Sequence, residues 1–136
     1  MHDVLRPAVR RFLLPAMAAV VLCSCVMAKP ALDSQAGVYH IVLVWLKQPG
    51  DAEAIQRIID ASRSFSEIPG VLHVEAGTSM SSGRDIVDDS FDVGIIISFP
   101  DRAAMERYLS HPTHTGVVRD VLLPLVTKIV VYDFST

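Results

Sequence analysis

The sequence predicts an α+β domain, a four-stranded antiparallel sheet carrying two helices, and three observations carry that reading. Four runs are rich in β-branched and aromatic residues, two segments repeat apolar residues at helical spacing, and the breaks between them give the order βαββαβ. That order is the ferredoxin-like, split βαβ arrangement. The 136 residues suit one domain, and 51% apolar against 20% charged residues exclude a disordered chain.

Taken in order, Val38 to Lys47 reads as the first strand, and Gln48-Pro49-Gly50 as a turn. Asp51 is placed to N-cap a helix running to about Ser66, with Ile55, Ile58, Ile59, Ser62 and Phe65 on one stripe. Ile68-Pro69-Gly70 breaks it. Val71 to Ser79 is the second strand, Met80 to Ser90 a polar loop, and Phe91 to Phe99 the third strand. Pro100-Asp101 opens a second helix, with Ala104, Met105, Tyr108 and Leu109 on its apolar side, and Pro112 ends it. His114 to Leu123 reads as a short helical or irregular segment, and Leu125 to Phe134 as the fourth strand.

Two helices cover one face of such a sheet, and the other face is expected to alternate toward polar residues. Here it stays apolar. Val42, Val44 and Leu46 lie on one face of the first strand, and Ile41, Leu43 and Trp45 on the other. In the fourth strand Ile129 and Val131 oppose Val130, Tyr132 and Phe134. A second copy covering the free face is the expected reason, giving a homodimer packed sheet to sheet.

Residues 1–24 read as a signal peptide: Arg6, Arg10 and Arg11 precede an apolar run from Phe12 to Leu22 that is too short to span a bilayer. Leu22-Cys23-Ser24-Cys25 resembles a bacterial lipobox, which implies cleavage before Cys25 and a lipid on its sulfur. Residues 25–37 then form a tether and residues 38–136 the folded domain. The expected address is the cell envelope, lipid-anchored to a membrane and facing the periplasm. Three other readings stand beside this one: cleavage after Ala28, giving a soluble secreted protein; an uncleaved anchor; and a twin-arginine signal at Arg10-Arg11-Phe12-Leu13, whose surrounding motif is incomplete. Cleavage before Cys25 removes three Arg and one Asp. Basic residues fall from 12 to 9, acidic residues from 15 to 14, and the net charge goes from -3 to -5. A nucleic-acid partner is excluded on that balance. Both cysteines lie in the leader region, so the domain has no disulfide and no thiol chemistry.

The stretch that bears chemistry is Tyr108-Leu109-Ser110-His111-Pro112-Thr113-His114. One reading places a small apolar pocket between helices and sheet, with His114 as base, Tyr108 as its hydrogen-bond partner, and His40 and His111 as ligand-binding candidates. The other makes them structural: a His after a helix caps its last carbonyls, and a Tyr on an apolar helical face belongs to the core. Asp85, Asp88, Asp89 and Asp92 lack calcium-loop spacing and read as a solvated loop, and no metal or cofactor site is implied.

The chain resembles the stress-responsive α/β-barrel (Dabb) domain family. The resemblance rests on Tyr39-His40-Ile41-Val42, Ile68-Pro69-Gly70-Val71, Phe91-Asp92, Tyr108 through His114 and Tyr132-Asp133-Phe134, and covers Val38 to Phe134. It implies a dimeric α/β barrel. In a plant polyketide cyclase of this family a His and a Tyr of the same motif perform aldol cyclisation, which by position implies His114 as base with Tyr108, and matches His40. Two further pocket residues of that cyclase, a His and a Tyr, are replaced here by Val93 and Ala61. The resemblance therefore implies a stress-related or small-ligand-binding module, with a cofactor-free cyclase, lyase or monooxygenase-like enzyme as the second reading.

Overall fold

The computed structural model describes residues 36–136. The leader, the lipidation at Cys25 and nearly all of the tether lie outside the described residues. Strands β1 (Val38–Leu46), β2 (His73–Thr78), β3 (Val93–Phe99) and β4 (Val126–Ser135) form one antiparallel sheet in the order β2-β3-β1-β4. Helices α1 (Ala52–Arg63) and α2 (Arg102–Ser110) cover one face, and a short α3 (Pro112–Val117) follows α2. This is the expected ferredoxin-like fold.

Burial alternates strictly along β1, with every second residue from Val38 to Leu46 buried beneath the helices. Val93, Ile95, Ile97 and Phe99 are the buried apolar row of β3, where Ser98 is buried as well, and they meet Ile58, Ile59 and Phe65 from the α1 side in a single core. The α1 stripe behaves as its spacing predicts. The Asp51 carboxylate accepts from the N–H groups of Glu53 and Ala54. Fully buried Ser62 satisfies its hydroxyl by donating to the Ile58 carbonyl. The α-helix stops at Arg63 rather than near Ser66, because the chain tightens into a 3₁₀ turn over Ser64–Glu67.

Gly70 then makes the return toward β2 at φ 93°, where an added Cβ would stand 3.2 Å from the Ala104 Cβ on α2. Gly70→Ala is expected to cost about 1–3 kcal/mol of unfolding free energy, read by urea denaturation, because it adds both a strained backbone and a crowded helix contact.

β3 starts at Val93, two residues later than the sequence suggests, because its first two residues are used elsewhere. The Asp92 carboxylate accepts from the backbone N–H groups of Leu46 (2.8 Å) and Gly50 (2.7 Å), which pins the β1–α1 turn. Phe91 rests edge-on against Trp45. β2 likewise starts at His73 rather than Val71. After α3 the helix widens into a π turn over Val118–Leu122, in which the Leu123 N–H reaches the Val118 carbonyl. Pro124, two residues past this turn, has no N–H to continue a regular helix. Among the described residues no helix is long and apolar enough to cross a membrane.

The face away from the helices is apolar, as the strand patterns predict. Tyr39, Ile41, Leu43 and Trp45 of β1 share it with Ile96 of β3 and with Val130, Tyr132 and Phe134 of β4. Tyr132 is 58% exposed and Phe134 48%.

Candidate ligand pocket

Tyr108 sits on the last turn of α2, one helical turn beyond Ala104 and Met105, so its ring is carried into the core with them. There it meets four rings. Its centroid lies 4.5 Å from that of His114, 5.1 Å from Phe99, 5.6 Å from Phe65 and 5.9 Å from His40. Burial pushes the hydroxyl's pKa well above the ordinary tyrosine value, so it remains a protonated donor, and no hydrogen bond to a described residue contributes to that shift.

His114 is brought beside it by the turn at His111-Pro112. Its Nδ1 lies 3.0 Å from the Leu109 carbonyl, one of the last carbonyls of α2. A carbonyl only accepts, so Nδ1 carries the proton and donates, which leaves Nε2 with a free lone pair in the neutral ring. Burial lowers the His114 pKa. The bond to Leu109 works against that, and a charge on nearby His40 adds to it.

His40 comes from the helix-facing row of β1 and is 5% exposed. Its register partner on β4 is Asp133, and the two side chains meet with Nδ1 2.6 Å from the carboxylate Oδ1. An ionised Asp133 accepts from Nδ1–H and again leaves Nε2 free.

These three groups line one cavity of about 200 Å³. Val42, Ile95, Ile97 and Phe65 make its floor, and Val118 and Leu122 from the π turn close one side. Leu109 and Val131 also line it and remain 37% and 46% exposed, so Leu109 belongs to the cavity's rim rather than to the buried stripe of α2. Phe65 walls the cavity without filling it. Chemically the cavity offers a hydrogen-bond donor beside two imidazole nitrogens able to accept, in otherwise apolar surroundings.

The structure thus brings together Tyr108, His114 and His40. It places His111 elsewhere: its ring nitrogen accepts from the Thr113 N–H and N-caps α3, and it does not line the cavity. Asp133 was not among the residues singled out for the site, although the antiparallel register that puts it beside His40 follows from pairing the first and last strands. Among the described residues no three His, Cys, Asp or Glu side chains gather in a way that would hold a metal. Asp120 pairs with Arg119.

The family model of the stress responsive A/B barrel domain (Dabb) matches residues 38–136. A Dabb family protein with a ferredoxin-like fold from Mesorhizobium loti is 31% identical and superposes with a TM-score of 0.61, covering 74% of this chain and 97% of its own. A hydroxynitrile lyase from Passiflora edulis is 21% identical with a TM-score of 0.64, covering 75% of this chain and 94% of its own. A dimeric protein with a ferredoxin-like fold from Bacteroides fragilis is 19% identical with a TM-score of 0.60, covering 73% and 95%. No curated protein matches the chain.

Proposed function

The chain belongs to the stress-responsive A/B barrel (Dabb) domain family, and from that premise we propose that it is a small-ligand-binding module of the cell envelope. The ligand is uncharged, mostly apolar, and carries one hydroxyl or carbonyl oxygen. The observation that carries this is the convergence of the Tyr108 hydroxyl and the free His114 Nε2 on one apolar cavity. At about 200 Å³ it is smaller than the roughly 300–1,000 Å³ of drug-sized sites, so the ligand is small. The open apolar sheet face, together with the dimeric relative of the same fold, supports a homodimer. The basic leader and the Cys25 tetrad support export and lipid attachment, with the module facing the periplasm. A stress-related role accords with the family's description.

A second reading is cofactor-free acid–base catalysis, favoured by the carboxylate-backed His40 beside a His114 kept neutral by burial. Tyr108 would hold a carbonyl oxygen while His114 Nε2 takes a proton from the neighbouring carbon. The relative named as a hydroxynitrile lyase shows that this fold hosts lyase chemistry in another protein.

Thermal shift with acetophenone, benzaldehyde and phenol tests the first reading. At least one is expected to raise the Tm of the wild type. Tyr108→Phe is expected to bind it about 10- to 100-fold more weakly, and His114→Ala to weaken by the same factor the binding of phenol, whose hydroxyl can donate to Nε2, the effect of one lost buried hydrogen bond. Equal shifts in all three proteins would remove these groups from the site. Deuterium exchange of the acetophenone methyl protons tests the second. Exchange by the wild type that disappears in His114→Ala supports catalysis, and equal exchange in both ends it.

A further inference from the structure

Tyr108 is 1% exposed and His40 5%, yet both line the cavity. They are closed to solvent, so a ligand larger than a water reaches them only if one wall of the cavity gives way. Most of the walls are fixed. Strands β1 and β3 are each paired on both sides, and β4 is paired with β1 along nearly its whole length. Buried Ile58 and Phe65 hold α1 and the 3₁₀ turn after it, and buried Ala104 and Tyr108 hold α2. The remaining wall is the helical stretch from Pro112 to Leu125, in which Leu122 is the single buried side chain, with Val117, Val118 and Val121 partly buried around it.

Both ends of that stretch are fastened. On one side the Thr115 N–H donates to the His111 carbonyl (3.0 Å), and His114 Nδ1–H donates to Leu109 of α2. On the other side Lys47, just past β1, holds the chain twice: its backbone N–H donates to the Leu125 carbonyl (2.8 Å) and its Nζ to the Pro124 carbonyl (2.7 Å). Between these anchors run residues 116–123. Gly116 has an ordinary helical backbone, and a Cβ there would meet nothing within 4 Å, so neither conformation nor packing calls for a glycine. What glycine supplies is a weakened helix. The π turn follows, a rare geometry that concentrates at functional sites. Arg119 and Asp120 pair with each other in solvent rather than with the body of the domain, and Leu123 is 54% exposed.

We propose that residues 116–123 are the lid of the cavity. They swing outward between Gly116 and Pro124 and carry Val118 and Leu122 off the cavity, while Tyr108, His114 and His40 stay in place. This rests on the ligand-binding reading above and adds to it the route of entry. Access and recognition are then separate. The groups that meet the ligand's oxygen belong to α2, the turn that caps it and β1, and the groups that move are apolar. Opening exposes one leucine and a few valines, so it costs far less than unfolding the domain.

Native-state hydrogen exchange of the full chain reads the lid without a ligand. The amides of residues 118–123 are expected to exchange through an opening that urea below the unfolding transition leaves unchanged, because little surface is exposed. Ile58 and Ile59 of α1 are expected to follow global unfolding and its urea slope. If residues 118–123 share that slope, the segment opens only when the domain unfolds, and there is no lid. Its role in access is read by NMR line-shape analysis during titration with whichever of acetophenone, benzaldehyde and phenol raises the Tm. Gly116 does not line the cavity, and Gly116→Ala favours the closed helix. The variant is expected to lower kon and koff together, each about fivefold, the helix preference of Ala over Gly, and to leave Kd within about twofold. An unchanged kon overturns the lid, and so does a change in Kd carried by koff alone. A protein that binds none of the three probes takes down the ligand-binding reading itself, and the lid with it.

Discussion

Tyr108→Ala is expected to lower the unfolding free energy by about 3–5 kcal/mol, the range for deleting a large aromatic side chain from a packed core, whereas Tyr108→Phe is expected to leave stability within about 1 kcal/mol of wild type. The ring is 1% exposed and contacts Phe65, Phe99, His40 and His114, so its removal takes away the shared wall of the core and the cavity. The hydroxyl is a different matter. It opens on the cavity, and no bond to a described residue contributes to its titration, so removing it breaks little in the folded protein. Urea denaturation of both variants checks this, and a large loss in Tyr108→Phe would mean that the hydroxyl holds the fold together rather than serving a ligand.

Below pH 6.5 both stability and ligand binding are expected to fall, and His114 is the residue responsible. Its pKa in the folded protein lies below the ordinary histidine value of about 6.5, first because of burial. The unfolded chain therefore takes up a proton at a higher pH than the folded one. The stability contributed by the neutral ring is complete above pH 6.5 and is lost as the pH falls through the lower folded value. Protonation also removes the Nε2 lone pair that the cavity offers as acceptor. His114→Gln is expected to flatten the stability curve below about pH 6.5 relative to wild type. Curves that remain parallel would show that His114 is not the titrating group.

Much of the fold was legible because its signals are local. The β-branched runs, the Asp51 and Asp101 caps, and the breaks at Ile68-Pro69-Gly70 and Pro112 each act within a few residues, and the strands and helices follow them. The boundaries that shifted did so under distant demands. Asp92 leaves the strand pattern because its carboxylate ties two backbone N–H groups on the far side of the chain. The width of the π turn was not readable either, since a missing proline N–H says where a helix is weakened but not how the chain relaxes.

The site divides in the same way. Tyr108 and His114 stand out in the sequence as a pair, but capping and ligand binding look there like competing roles for His114. The structure assigns one nitrogen to each: Nδ1 caps α2, while Nε2 is left free at the cavity wall. His111, alike in sequence, is turned to the N-terminus of α3 instead. Asp133 takes its meaning only from the strand register that sets it against His40, 93 residues away.

The sequence by itself determined the order of elements, the two apolar faces of the sheet and the residue types available for chemistry, because alternation, helical spacing and caps are properties of neighbouring residues. Which histidine faces the cavity, what stands behind His40, and which wall of the cavity is thinly anchored were decided only by the tertiary structure. Those depend on how separate elements are brought together, and no local pattern encodes the distance between side chains that meet across a sheet.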